Sequence, residues 1–494
     1  VNIRATSILI CGAFFSLAVF QLTCAHGQSN NGQLDARRPV NVVIIISDDQ
    51  GYQDLGCFGS QEVLTPNLDR LASAGVKLTN FYVSWPACTP SRGSLLTGRY
   101  PQRNGIYDMI RNEAPDYGHK YSAAEYAVTF ERIGGMDTRE VLIPELLRSA
   151  GYTSGIFGKW DLGSLQRYLP LARGFDRFYG FVNTGIDYFT HERYGVPSMY
   201  RDNQPTQEDK GVYCTDLFLR EAKNFLHENR ERPFLLYVPF NAPHSASNLD
   251  PAIRSAAQAT DQYKALYPAL RDAAGLQASE RYGQSAQSLN RAGRRLEYAA
   301  SITQMDAAIG ELLDLLEQFE LDEDTLVVFF SDNGGSGGAD NGILRGHKGD
   351  LFEGGIRVPA IVRFPGRIPA GQTHDGFCGS IDLLPTILEV VKVAKPQELV
   401  LDGYSLLPML SGRGDSPRRE MFWQRQGDRA ARLGDWKWVD SRKGTGLFNL
   451  ADDPSEQHDL SAMNLAELQR LQRAHEEWSA EMERAEPRGP FRDF

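Results

Sequence analysis

Cysteine is scarce, with six among 494 residues, too few for a disulfide-framework protein of this length even in an oxidising compartment. Positive charge is not in excess either. Fifty-two Lys and Arg stand against 63 Asp and Glu, leaving a formal net charge of −11, which excludes a general affinity for nucleic acid or anionic membranes. An anionic substrate remains open, because an anion answers to the local field of its pocket. Zinc-type Cys and His spacing is missing around Cys57, and no leucine zipper or nucleic-acid motif occurs. Long apolar runs are missing too. The longest, ILICGAFFSLAVF at residues 8 to 20, is too short for an ordinary membrane span, so stable membrane insertion is not expected.

That run follows Arg4 and precedes Ala25, His26 and Gly27, a small-x-small site. The order reads as a secretory leader over residues 1–27, and the protein is expected to be exported, periplasmic or secreted.

From residue 40 the chain alternates apolar runs with amphipathic stretches. VNVVIIIS at 40–47 reads as a buried strand that delivers Asp48, Asp49 and Gln50 at its carboxyl end. Thr65 and Pro66 read as the cap and first turn of a helix that Gly75 stops. A helix, turn and short strand bring Lys159 to a strand end, RPFLLYVPF brings His244, and DTLVVFFS ends at Asp332 and Asn333. The pattern implies an α/β fold with a large, mostly parallel sheet sandwiched by helices. After about Pro417 it changes to short Trp-rich pieces and a charged terminal helix, a smaller C-terminal antiparallel sheet plus helix. The expected division is a catalytic domain at 40–414 and a subdomain at 415–494. Residues 248–295, rich in Ala, Gln, Arg and Ser, read as a partly helical insertion that either shapes substrate access or decorates the surface.

Asp48, Asp49, Asp332 and Asn333 offer hard oxygen donors from two strand ends, a set suited to Ca²⁺, with Mg²⁺ second, and poorly suited to a soft metal. Alone, either pair would be an ordinary turn or cap.

Between these clusters lies CTPSRGSLLTGR, residues 88 to 99. Cys88, Pro90 and Arg92 form a Cys-x-Pro-x-Arg core, extended by Ser91, Leu95, Thr97, Gly98 and Arg99, and the segment resembles the active centre of type I, formylglycine-dependent sulfatases of the arylsulfatase family and alkaline-phosphatase-like superfamily. The resemblance runs over about residues 40–494 and is strongest up to residue 366. It implies that a transient partner, a formylglycine-generating enzyme, oxidises Cys88 to formylglycine. One hydroxyl of the hydrated aldehyde would attack sulfur, and the second would allow sulfate to be expelled, which a serine could not do. With Cys11 and Cys24 lost in the leader and Cys88 converted, three thiols would remain, at 57, 214 and 378.

The same resemblance implies a metal site of Asp48, Asp49, position 88, Asp332 and Asn333. Arg92, one turn beyond Cys88, would orient the modified side chain, and Arg99 would brace the helix end. Lys159 in GKWDLG and Lys348 in RGHKGD would clamp sulfate, while His244 in FNAPH would protonate the leaving oxygen or anchor sulfate. One position departs from the pattern: Asp161 stands where family members commonly carry histidine. Its carboxylate opposes a substrate anion, so it would accept a proton, pair with Lys159 or turn outward while His119, His191 or His347 takes the role.

Residues 186 to 195, IDYFTHERYG, carry two tyrosines, Phe189, His191 and Arg193 and read as a wall for sugar rings, or as aromatic packing. Three functions stay distinct. The first is a sulfatase acting on an extracytoplasmic sulfated carbohydrate or an aryl sulfate, the second a phosphoester or phosphonate monoester hydrolase with the same nucleophile, and the third a catalytically silent glycan-binding protein.

Overall fold

The structure, a computed structural model, describes residues 38–109, 135–250, 253–254, 256–275 and 289–485. The leader and His119 lie outside them.

The strands of the main sheet are β1 (Asn41–Ser47), β2 (Val76–Tyr82), β3 (Thr153–Lys159), β4 (Arg177–Phe181), β5 (Phe234–Pro239), β6 (Thr325–Ser331) and β7 (Arg357–Arg363), with four shorter strands completing an 11-stranded sheet. Along the sheet the order is β2, β7, β6, β1, β5, β3, β4, and the run from β6 to β4 is parallel throughout. Strand β7 is antiparallel to both its neighbours. The sheet is therefore mostly parallel, as the alternation of runs implied.

Both faces are covered because the pleat splits each central strand between two cores. In β1, Val42, Ile44 and Ile46 enter one apolar cluster, and Val43 and Ile45 enter the other. The second cluster is filled by α1 (Pro66–Ser73), α3 (Cys214–Asn229) and α4 (Arg291–Gln318); the first receives α2 (Cys88–Thr97) and α5 (Leu383–Val391).

Thr65 precedes α1 but does not cap it; its hydroxyl accepts from the Gly56 N–H at 2.9 Å. Asp306 on α4 takes the capping role, accepting from the Asn67 and Leu68 N–H groups at 3.1 and 2.7 Å. The described part of the 248–295 insertion carries short helices at Asp261–Lys264 and Pro268–Ala274. They lie on α4, where Tyr267 donates to the Ala299 carbonyl at 3.3 Å.

A four-stranded antiparallel sheet follows: β8 (Glu420–Arg425), β9 (Asp428–Leu433), β10 (Trp436–Ser441) and β11 (Gly444–Asn449), with α6 (Leu465–Arg484) on it. Trp478 of α6 stacks on Phe422 at 5.5 Å and 21°. This sheet shares the first core cluster with the main sheet, and the chain from Arg38 onward forms one compact unit. A buried charge network joins the two sheets. Lys437 lies 2.8 Å from both Glu353 and Glu456, and Tyr82 of β2 bonds to Glu353 and to Arg432 of β9.

Candidate active site

Parallel pairing of β1 with β6 puts Ser47 opposite Ser331, so the two polar pairs that follow leave the sheet side by side. Asn333 Nδ2 donates to Asp49 Oδ1 at 2.8 Å, although 284 residues separate them. Asp49 has a φ of 67°, a left-handed conformation that a non-glycine residue adopts only when its surroundings enforce it. Here Tyr298 of α4 holds the turn, accepting from the Gly51 N–H and donating to Asp54, each at 2.9 Å, and Ser336 donates to Asp49 Oδ2 at 2.9 Å.

Helix α2 begins at Cys88 and is buried on every side. Pro90 falls in its first turn, where a missing N–H costs nothing, and Gly98, with a φ of 64°, ends it. The Cys88 thiol donates to Asp48 Oδ1 at 3.3 Å and lies 3.9 Å from Asp49 Oδ1. Burial, with Asp48 alongside, pushes this thiol well above its ordinary value against the pull of Lys159 and Lys348. Lys348 donates to the sulfur at 3.1 Å and sits 2.6 Å from Asp49 Oδ1. Its loop docks on both flanks of the site: the Lys348 N–H donates to Gly335, and the Gly349 N–H to Pro86 just ahead of Cys88.

Lys159 Nζ lies 2.7 Å from Asp48 Oδ2. Arg92 turns to the metal-type residues, its Nε and Nη2 at 2.9 and 2.7 Å from Asp332 Oδ2, and its Nη1 donates to the Lys159 carbonyl at 3.3 Å. Arg99 braces the helix end against Glu140 at 3.3 Å. His244 donates from Nδ1 to the Ser245 carbonyl at 2.7 Å, and its Nε2 is 3.8 Å from Asp49 Oδ2. Burial lowers the imidazole to about 3, outweighing the attraction of Asp49. Ligand atoms of Asp48, Asp49, Cys88 and His244 fall within 4.8 Å of one another.

Two observations fit a hard cation. Asn333 Oδ1 is fully buried with no hydrogen-bond partner, although its amide nitrogen donates to Asp49 and to the Gly334 carbonyl. An orphaned amide oxygen beside carboxylates is the donor that Ca²⁺ or Mg²⁺ accepts. The charges agree. Four buried carboxylates, Asp48, Asp49, Asp161 and Asp332, face the cations Arg92, Lys159 and Lys348; a divalent ion turns that deficit into one net positive charge, the sign an anionic ester needs.

Asp161 neither faces outward nor stands free. Its Oδ2 accepts from Thr89 Oγ1 at 2.8 Å and lies 3.7 Å from Lys159 Nζ, in a backbone of φ 57°. Burial raises its carboxyl above the usual range against the pull of Lys159 and Arg92. His191 is engaged elsewhere, its Nε2 bonded to the Val212 carbonyl at 2.8 Å, and His347 has 59% of its side chain exposed. In the 186–195 segment Tyr188 is buried and donates to the His244 carbonyl at 2.7 Å.

Comparison with known proteins identifies the geometry. The family model described as Sulfatase matches residues 40–393, and that described as N-sulphoglucosamine sulphohydrolase, C-terminal, matches residues 347–481. The chain belongs to the sulfatase family. It is a sulfuric ester hydrolase. It is 32% identical to N-acetylgalactosamine-6-sulfatase of Canis lupus familiaris over 499 residues, covering 90% of this chain and 85% of that one. Arylsulfatase A of Homo sapiens is 34% identical over 460 residues, covering 85% and 79%. The crystal structure of Ps i-CgsB superposes with a TM-score of 0.75 at 30% identity, over 89% of this chain and 93% of that one. The phosphonate monoester hydrolase of Agrobacterium radiobacter shares the fold alone, at 20% identity and a TM-score of 0.59.

Several supporting residues in this sulfatase carry no sequence signal. Tyr298 lies inside a long helix, Ser336 in a glycine-rich loop and Thr89 at a variable place in the motif. The only hint of Thr89 was its position next to Cys88.

Proposed function

We propose that this sulfatase removes sulfate from a sulfated carbohydrate outside the cytoplasm, with aryl sulfates as accessory substrates, using formylglycine at position 88. The observation that carries the reading is the gathering of Asp48, Asp49 and Lys348 around the Cys88 sulfur at the start of a buried helix, with Lys159 bonded to Asp48 beside it. Relatives point the same way. One is named N-acetylgalactosamine-6-sulfatase, and the Ps i-CgsB structure is also known with k-i-k-neocarrahexaose. Position 88 has no exposed surface, so conversion by a formylglycine-generating enzyme has to come before the site closes. Among the described residues no helix is long and apolar enough to cross a membrane, and the leader-like start supports export.

Asp48, Asp49, Asn333 and position 88 would hold the metal, Ca²⁺ rather than Mg²⁺, with Asp332 completing the set while pinned by Arg92. When bound, the ion offsets negative charge on the sulfate oxygens and on the converted side chain. Lys159 and Lys348 clamp the sulfate, each already anchored on a metal-type carboxylate. His244, whose ligand atom falls within 4.8 Å of those of Asp48, Asp49 and Cys88, meets the leaving oxygen. Asp161 acts behind Lys159, holding the lysine and Thr89 in place; His191 supports the loop that carries the sugar-facing wall.

The test is sulfate release from a panel of sulfated saccharides and an aryl sulfate, beside a phenyl phosphonate, with conversion at position 88 verified by peptide mass. Release from the sugars that vanishes in Cys88→Ala is the expected result. Turnover of the phosphonate alone would move the reading to a phosphonate hydrolase. Saccharide binding without release by converted protein would leave a glycan-binding protein.

A further inference from the structure

Lys348 reaches the Cys88 sulfur and Asp49 from a segment, RGHKGDLFEGG, with little stiffness of its own, because glycine leaves the backbone its widest freedom. An ammonium on a flexible stem is aimed by wherever its backbone is held. Lys348 and Gly349 are held from three sides. The Lys348 N–H donates to the Gly335 carbonyl at 3.2 Å and the Gly349 N–H to that of Pro86 at 2.8 Å. The Gly349 carbonyl accepts from Arg425 Nη1 at 2.9 Å. The first two partners flank the site, whereas Arg425 is the last residue of β8 in the C-terminal sheet.

This third bond stands out for its partner. Asp428 lies opposite Arg425 across the β8–β9 hairpin, yet its carboxylate pairs with Arg442 at 3.3 Å. Among the described residues Arg425 makes no ion pair, and its guanidinium serves a neutral carbonyl instead. Gly349 is suited to receive it. Its φ of 91° is one that side chains disfavour, and a Cβ there would lie 3.3 Å from Arg425 Nη1. Neighbouring contacts repeat the arrangement. Arg345 Nη1 donates to the Glu456 carbonyl at 3.0 Å, and the Glu353 N–H donates to the Glu456 carboxylate at 2.6 Å. The Lys348 segment is thus tied to the C-terminal region toward both ends, and at its middle by Arg425.

We propose that Arg425 is a positioning residue for Lys348: through the Gly349 carbonyl it fixes the backbone from which the lysine reaches the sulfate, so that the C-terminal sheet takes part in turnover as well as in stability. The inference rests on the assignment of Lys348 to the sulfate clamp. A shift of about 1 Å in a group that meets the reacting atoms can cost about 100-fold in rate, and a Gly349 carbonyl without its charged donor gives the segment room to shift.

The experiment compares converted wild type, Arg425→Met, Arg425→Lys, Lys348→Ala and the Lys348→Ala/Arg425→Met double variant. Methionine keeps an apolar stem and removes the donors. For each protein kcat/KM is measured on 4-nitrophenyl sulfate and on the sulfated saccharide that wild type turns over best. Titration calorimetry of inorganic sulfate carries the same cycle where turnover is too slow to read, and melting midpoints check the fold. Arg425→Met is expected to lower kcat/KM about 10- to 100-fold when Lys348 is present, and less than about twofold when it is absent. Sulfate binding should weaken in the same pattern, and Arg425→Lys, which keeps a cationic donor of shorter reach, should fall between. A purely structural role, or a contact of Arg425 with substrate, would cost both backgrounds alike. Equal loss in the two backgrounds, or undiminished turnover in Arg425→Met, therefore overturns the positioning role alone. Undiminished turnover in Lys348→Ala overturns the assignment of that lysine and the positioning role with it, and so does the absence of sulfate release from every substrate by converted wild type.

Discussion

Thr89, the residue after Cys88, donates its hydroxyl hydrogen to Asp161 at 2.8 Å, and Lys159 approaches the same carboxylate oxygen at 3.7 Å. The position at which the family resemblance implies a histidine is thus occupied by a carboxylate that joins the residue after the nucleophile position to Lys159.

Asn at 161 keeps an acceptor for Thr89 and removes a charge that opposes the substrate. At an effective dielectric of about 20 that charge is worth on the order of 1 kcal/mol or more. Asp161→Asn at pH 8 is therefore expected to bind inorganic sulfate at least about fivefold more tightly, read as product inhibition, with melting unchanged. Asp161→Ala leaves Thr89 with only the weak Met109 thioether at 3.4 Å and should cost about 1–3 kcal/mol of stability. Weaker sulfate inhibition in the Asn variant would show that Asp161 attracts rather than opposes the anion.

Tyr298 holds the turn that presents Asp49 by joining the Gly51 N–H to Asp54. Tyr298→Phe leaves that N–H and carboxylate short of a partner while the ring still packs. Partners behind metal ligands typically carry about 10- to 100-fold of affinity, so Ca²⁺ titration calorimetry should show a loss in that range without a change in fold. Unaltered Ca²⁺ affinity would assign Tyr298 to packing alone.

Lys437 is fully buried between Glu353 and Glu456. Lys437→Met removes the cation that two buried carboxylates share, leaving Glu353 with Arg357 and Tyr82 and Glu456 with the Glu353 N–H, at a cost of about 3–5 kcal/mol. Adding Glu353→Gln and Glu456→Gln should restore part of it, because neutral amides tolerate burial better than unpaired charges. Denaturant midpoints measure both effects; an additive triple variant would rule out coupling.

What the sequence revealed was each element's own burial pattern. VNVVIIIS and DTLVVFFS read as buried strands ending at Asp48 and Asp332, and β1 and β6 stop at Ser47 and Ser331. The small C-terminal sheet was legible in its tryptophans. Partnership was not. Nothing in either run records that β1 and β6 pair in register, and without that register Asp49 and Asn333 do not meet. The supports of the site share this limit: Tyr298 and Ser336 reach Asp49 from α4 and from the loop after β6. Thr65 failed as a cap because Asp306, 239 residues away from Asn67, supplied a carboxylate instead. His191 illustrates a further limit, since a histidine among aromatics has the same composition whether it faces a sugar or a carbonyl such as that of Val212.

His475 provides a pH test independent of the active site. It lies 2% exposed in α6, ringed by Phe422, Trp438 and Trp478, and bonds through Nε2 to the Trp423 carbonyl at 3.1 Å. Burial, aided by Arg429 and opposed by that carbonyl, lowers it from 6.5 to about 4. The unfolded chain therefore binds a proton between those values that the folded chain refuses. Its contribution to stability is intact above about pH 6.5 and is lost progressively as pH falls toward 4, a change of about 3 kcal/mol. Buried carboxylates with raised values slope the other way. Glu297, raised to about 7 mainly by burial, loses stability as pH rises toward that value. The raw pH profile mixes these signs, and the difference between wild type and His475→Phe isolates one of them. The aromatic replacement keeps the ring contacts and removes the titration, so wild type should lose about 3 kcal/mol relative to the variant between pH 6.5 and 4 in urea melts. Parallel profiles across that window would mean that the folded C-terminal sheet admits the proton.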